Sequence, residues 1–168
     1  MRIDKLSDLP DWEDDQFGRK DEEGEEWKPN PTRDACKALY MKWREVVMML
    51  NGVLETDREH EDAENDMERS YLIAHKQMLL GDAYEVGVKI KSSETGSMYV
   101  LRMENAAIIR KNAQHIASGL LLFGAEEQVD ENYVELIRAE IDQFRKLFKV
   151  WVNTFEKDEY TDDWGLFV

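Results

Sequence analysis

The residues best suited to chemistry are two histidines and two glutamates on neighbouring predicted helices. Glu68 and His75 lie seven residues apart, so one face of a helix would carry both. Glu104 and His115 belong to the next predicted helix. If the two faces meet, these carboxylate and imidazole groups would line a polar cavity able to hold a divalent metal ion or a small ligand. The alternative, which we favour, is that they are boundary residues hydrogen-bonded to their neighbours.

Other patterns typical of enzymes do not occur in this sequence. Di-metal helical bundles use a glutamate three residues before each ligating histidine; here those positions hold Asp57, Leu72 and Asn112. The glycines form no phosphate-binding loop, and the serines have no base at a spacing typical of hydrolases. The single cysteine, Cys36, lies on an apolar helix face, where we expect it to pack. We therefore predict no catalytic residues and no cofactor.

The chain is strongly acidic, and the acid is unevenly distributed. It has 168 residues, 37 of them acidic and 22 lysine or arginine, for a net charge of −15. Such a charge argues against binding to nucleic acids or to anionic membranes, because both are polyanions. Most of the excess acid falls within residues 1–31, 55–68 and 156–163. A single cysteine, a charged N-terminus and the lack of a long apolar run lead us to expect a soluble, cytoplasmic protein.

Apolar residues at helical spacing predict four helices, at residues 32–55, 60–92, 97–123 and 130–157. The fourth has the most regular stripe: Val134, Ile137, Ile141, Phe144, Phe148, Trp151 and Phe155. In the second, the inner face is predicted to hold Met67, Tyr71, Ala74, Met78, Gly81 and Val88, with Leu72, Ile73, Leu79 and Leu80 widening the apolar arc. Thr32, Ser97 and Asp130 are the expected N-caps. Residues 86–101 could instead form a β-hairpin, since Val86, Val88 and Ile90 alternate with smaller or charged residues.

We predict an all-α, antiparallel up-down-up-down four-helix bundle over residues 32–157. An extended acidic arm, residues 1–31, precedes it, and a short aromatic tail, residues 158–168, follows it. The arm and tail carry the residues that we expect to contact a partner: Trp12, Trp27, Trp164, Leu166 and Phe167. The alternative, which we favour for the tail, is that both ends fold back and cover the bundle.

The leading functional hypothesis is a non-enzymatic, acidic helical bundle that acts through protein–protein interaction or self-association. Its partner would be another protein or a second copy of the chain. The second hypothesis is a bundle with a metal or small-ligand site between its second and third helices. The third is an acidic mimic of nucleic acid that inhibits a basic protein.

Overall fold

A computed structural model describes residues 9–14, 17, 28–54, 66–125 and 129–167 of the chain. These residues form four helices: α1 (Pro31–Leu54), α2 (Asp66–Gly96), α3 (Tyr99–Ala125) and α4 (Glu131–Val152). The part of the chain described here contains no strand. None of its helices is long and apolar enough to cross a membrane.

The four helices pack as a ring around one core. Among the described residues, α1 contacts α2 and α4, and α3 also contacts α2 and α4. The same helical spacing predicts a stripe on the first helix and one on the third, and every residue of both is buried: Cys36, Tyr40, Trp43, Val47, Leu50 and Leu54 in the first, and Ala106, Ile109, Ala113, Ile116, Leu120 and Phe123 in the third. Of the stripe predicted for the fourth helix, Phe148 is half-buried, Phe155 is half-buried beyond the end of α4 at Val152, and the other residues are buried. The all-α helical bundle is therefore confirmed.

Side-chain hydrogen bonds show which residues of neighbouring helices lie side by side. The Trp43 indole N–H donates to the Ala83 carbonyl at 2.7 Å, and the Cys36 thiol donates to the Ile90 carbonyl at 3.4 Å. The earlier residue of α1, Cys36, thus pairs with the later residue of α2, Ile90, as expected for two helices that run in opposite directions. These pairs support the antiparallel order, which stays a prediction for the bundle as a whole.

Two of the three predicted N-caps are wrong. Pro31 occupies the first position of α1, and the side chain of the preceding residue, Asn30, accepts a hydrogen bond from the Arg33 N–H at 3.0 Å. Proline suits this position because its missing N–H would have no helical partner. Asp130 does cap α4, as predicted, and accepts from the Asn132 N–H at 2.8 Å.

The connection between α2 and α3 is a sharp turn rather than a hairpin of strands. Residues 86–96 belong to α2, which confirms the helix–loop–helix interpretation. Ser97 follows with a φ of 53°, in the left-handed region that ends many helices. Ser97 does not cap α3. Instead, the carboxylate of Asp158, in the C-terminal tail, accepts a hydrogen bond from the Tyr99 N–H at 2.8 Å.

The inner face predicted for the second helix is wrong. All six of its residues, Met67, Tyr71, Ala74, Met78, Gly81 and Val88, are exposed. The core contact of α2 comes instead from another stripe: Leu79, Ala83, Val86 and Ile90. Three of these four residues are branched aliphatics, and they fill the space between α1 and α3.

Within the first 31 residues, the described stretch 9–14 and Phe17 lie on the bundle rather than away from it. Leu9 and Phe17 are each 4% exposed. Leu9 fits against Gly87 of α2, where a β-carbon would lie 2.6 Å from Leu9 Cδ2. The Tyr40 hydroxyl donates to the Pro10 carbonyl at 2.5 Å. A glycine in α2 thus makes room for the segment that precedes α1.

Candidate interaction site

The four candidate metal ligands do not form a shared site. Glu68 and Glu104 are exposed, while His75 and His115 are half-buried. No group of three or more His, Cys, Asp and Glu side chains within the described residues is arranged to hold a metal ion.

Each histidine has a contact of its own. His115 Nδ1 lies 2.5 Å from an Asp82 carboxylate oxygen, so this pair joins α3 to α2. His75 stacks on Phe123, with ring centroids 4.9 Å apart, and its buried Nε2 has no hydrogen-bond partner among the residues that the structure describes. Asp82 was not among the candidate site residues, although it lies one heptad after His75 and therefore on the same face of α2.

A second cluster that the sequence reasoning missed is a buried ionic group at the end of the bundle where α2 finishes. The side chain of Glu94 is 1% exposed, and its oxygens lie 3.8 Å from Arg33 Nε and 3.6 Å from an Arg102 nitrogen. Burial raises the pKa of Glu94 above its ordinary value of 4.5, against the opposing pull of the two arginines. These groups hold α1, α2 and α3 together at this end.

Cys36 belongs to the same region, and its chemistry is suppressed. The cysteine is fully buried, and this burial raises the pKa of its thiol far above the ordinary value. A thiol that stays protonated is a poor nucleophile. Asn105 adds a neutral polar contact nearby, because its amide donates to Ser93 Oγ at 3.2 Å. The buried polar groups of this end therefore serve helix packing.

The most distinctive surface of the described residues is the exposed apolar face of α2. We call it the α2 stripe: Met67, Tyr71, Ala74, Met78, Gly81 and Val88. Its four larger side chains are 79%, 57%, 47% and 44% exposed, in the order Met67, Tyr71, Met78 and Val88. Positions spaced alternately by four and three residues form the seam of a two-helix coiled coil.

The steric profile of the α2 stripe alternates between small and large residues. Ala74 and Gly81 alternate with Tyr71, Met78 and Val88. A β-carbon at Gly81 would meet no heavy atom within 4 Å, so the space above this residue is open. A groove of about 570 Å³ runs past Met78, Gly81 and Val88. An incoming helix could place a large side chain over the glycine, as knobs fill holes in coiled coils.

The two ends of the stripe differ in charge. Glu68 lies beside its beginning and Lys89 beside its end. Over its 31 residues, α2 has five acidic and four basic residues, whereas the whole chain has a net charge of −15. The α2 face is therefore close to neutral on an acidic protein, which lowers the electrostatic cost of covering it.

The C-terminal tail presents its apolar residues in an ordered turn. Asp162 accepts hydrogen bonds from the N–H groups of Trp164, Leu166 and Phe167, at 3.1, 2.7 and 3.0 Å. These bonds lower the pKa of the Asp162 carboxyl, with that from Phe167 contributing most. Trp164 is 95% exposed and Leu166 is 74% exposed, whereas Phe167 is half-buried. Trp164 and Leu166 therefore do not cover the bundle.

The two remaining candidate contact residues differ from the tail. Trp12 is half-buried: its ring packs against Tyr40 with centroids 5.6 Å apart and against Phe17 at 4.4 Å. Trp12 thus contributes to the docking of the N-terminal segment on its own bundle. Trp27 lies outside the described residues.

No protein-family model, no curated protein and no solved structure matches this chain. The function is therefore inferred from the residues and their geometry.

Proposed function

We propose that this protein is a non-enzymatic interaction protein that binds a helix of its partner on the α2 stripe. Self-association is one form that this binding can take. The single observation that supports the proposal is the exposure of six heptad-spaced residues along one helix face. Apolar residues in this spacing normally pack against another helix, and their exposure marks a contact surface.

The side chains of the stripe are of the types that protein interfaces favour. Tyrosine and methionine are enriched at such surfaces, tyrosine for its large amphipathic ring and methionine for its adaptable shape. Tyr71 supplies the ring, and Met67 and Met78 supply the adaptable contacts. This combination suits recognition of an amphipathic helix by its apolar face.

The tail offers a second, smaller contact. The backbone N–H of Trp164 donates a hydrogen bond to Asp162, which holds the residue in the turn while its ring stays accessible. Tryptophan is the residue most often found among the energetically dominant contacts of interfaces. We propose that Trp164 and Leu166 reinforce binding at the α2 stripe or contact a separate part of the partner.

Site-specific photo-crosslinking tests the proposal. A photoreactive phenylalanine analogue replaces Met78 in the α2 stripe, and in a control protein it replaces Met48, an exposed methionine of α1. In cells that make the protein, illumination should give crosslinked protein species from position 78 and few from position 48. Equal yields from both positions, or none from position 78, would contradict the proposal.

The contribution of the tail is measured with point substitutions rather than by truncation. Removing residues 158–168 would also remove Asp158, which accepts the hydrogen bond from the first N–H of α3. The double substitution Trp164→Ala and Leu166→Ala leaves that contact intact. A lower yield of crosslinks from position 78 in this variant would assign the tail to the same interface.

A further inference from the structure

We infer that the partner helix on the α2 stripe is α2 of a second copy of this chain, packed antiparallel about a two-fold axis. The inference rests on the proposed function and goes further by naming the occupant and its orientation. A two-fold interface must be complementary to itself, because the same surface serves both copies. The α2 stripe meets this requirement in both size and charge.

The large and small residues of two α2 helices fit together when the helices are antiparallel and the two-fold axis passes between Leu79 and Leu80. In this register Met78 of one copy faces Gly81 of the other, and Tyr71 faces Val88. Each contact occurs twice, once on each side of the axis. The largest gap in the stripe, the open space above Gly81, thus receives the flexible side chain of Met78.

Two further layers of this register pair Ala74 with Glu85 and Met67 with Ser92. Glu85 follows the heptad spacing between Gly81 and Val88, and its carboxylate accepts a hydrogen bond from the Asn112 amide at 2.7 Å. This bond directs the carboxylate toward α3, and the small Ala74 opposite it requires no apolar partner there. The one charged position in the seam therefore faces the smallest side chain other than glycine.

The charges beside the stripe choose between the two orientations. Glu68 and Lys89 occupy equivalent heptad positions, three heptads apart on the same edge of α2. In the antiparallel arrangement, Glu68 of each copy approaches Lys89 of the other. A parallel, in-register arrangement would keep the two Glu68 side chains at one end of the pair and the two Lys89 side chains at the other, so Glu68 and Lys89 could not meet. Opposite charges at such flanking positions set helix orientation, and like charges disfavour it.

The geometry of the stripe also suits a second long helix. From Met67 to Val88 it spans about 31 Å at 1.5 Å per residue. A repeat of 3.5 residues over three heptads favours a left-handed supercoil of two helices. The near-neutral charge of α2 lets two copies of an acidic protein meet there, because the excess acid lies mainly outside this helix.

The first test is the mass of the purified protein in solution. Light scattering coupled to size-exclusion chromatography, over a series of concentrations, should show a mass rising from 19.8 kDa toward twice that value. Met78→Glu should weaken the dimer by about 100-fold or more, because each copy would place a charge in an apolar layer. Met48→Glu, on the exposed face of α1, should leave the mass unchanged.

The second test determines the orientation. Two proteins with different tags carry Tyr71→Cys and Val88→Cys, and they are mixed and treated with a short bismaleimide. Cys36 is fully buried and needs no replacement. The antiparallel dimer predicts a crosslink between the two different proteins and little between identical ones, since position 71 of one copy lies about 25 Å along the axis from position 71 of the other. Met48→Cys in place of Tyr71→Cys should give no product.

Each outcome decides the inference. A monomer at every concentration, or a dimer unaffected by Met78→Glu, would overturn it. Crosslinks only between identical proteins would show a parallel pair and overturn the orientation. If position 78 still gives photo-crosslinks in cells while the purified protein is monomeric, the proposed function stands and the second copy is not the occupant. If position 78 gives none, the proposed function fails as well.

Discussion

Replacing Gly87 with alanine tests whether the N-terminal segment docks on α2 through Leu9. Alanine in a helix interior is normally more stable than glycine by about 1 kcal/mol. A β-carbon at position 87 would lie 2.6 Å from Leu9 Cδ2 and 2.7 Å from Leu9 Cδ1, so the leucine must move away. Leu9 is 4% exposed, and exposing a buried leucine side chain costs about 1.5–3 kcal/mol. We therefore expect Gly87→Ala to lower the free energy of unfolding by about 0.5–2 kcal/mol.

Gly52→Ala is the matched control. Gly52 lies in α1, and a β-carbon there would meet no heavy atom within 4 Å. This substitution should raise the free energy of unfolding by up to about 1 kcal/mol, because only the helix preference changes. The same exchange of residue type is thus expected to have opposite signs at the two positions.

A double-mutant cycle isolates the contact between Gly87 and Leu9. In a Leu9→Ala background the clash partner is gone, so Gly87→Ala should become stabilising, as at Gly52. Urea unfolding followed by far-UV circular dichroism measures all the variants. Each kcal/mol corresponds to about 2–4 °C in the melting temperature of a chain of this size. If Gly87→Ala and Gly52→Ala stabilise the protein equally, Leu9 does not occupy the position described here.

Three further predictions concern the end of the bundle where α2 meets α3. Because burial raises the pKa of Glu94, its contribution to stability is present below its ordinary pKa of 4.5 and is lost as pH rises through the folded-state pKa. Above that folded-state pKa, the Glu94→Gln variant should therefore gain stability relative to the unaltered protein. A difference between the two proteins in urea unfolding that does not change with pH would refute this. Burial raises the pKa of the Cys36 thiol, so this thiol should react with a thiol reagent only as fast as the protein unfolds. Labelling at the rate of a free cysteine in native buffer would disprove this. Asp158→Ala removes the acceptor for the Tyr99 N–H and should cost about 0.5–2 kcal/mol in urea unfolding, with a smaller loss for Asp158→Asn, which keeps an acceptor oxygen.

The number of helices and three of their four packing faces could be predicted from the sequence. Each of the first, third and fourth helices carries one apolar stripe, and a single stripe has only the core to face. The residues that cap the helices were harder to predict from the sequence. Asn30 and Asp158 satisfy the first N–H groups of α1 and α3, and Asp158 is far from α3 in the sequence. A cap that comes from a distant segment leaves no local signal.

The second helix was misjudged because polar residues interrupt its buried stripe. Ser93 and Glu94 lie in the buried part of α2, where Ser93 accepts a hydrogen bond from Asn105 and Glu94 lies within 4 Å of two arginines from other helices. In sequence they end an apolar pattern of four positions, whereas the α2 stripe has six apolar or small positions and is interrupted once, by Glu85. The spacing of apolar residues identifies a face of a helix but does not show what covers that face. The longer of the two apolar patterns, the α2 stripe, was therefore assigned to the core.

Helix α2 therefore has two apolar faces, of which one is buried in the bundle and the other is exposed. Leu79, Val86 and Ile90 fill the interior of its own bundle, which satisfies one face completely. The other face repeats a coiled-coil spacing that a single copy of the chain leaves exposed. An apolar face of a helix is normally buried against another element. The structure of one copy satisfies that expectation for only one face, and a second helix on the α2 stripe would satisfy it for both.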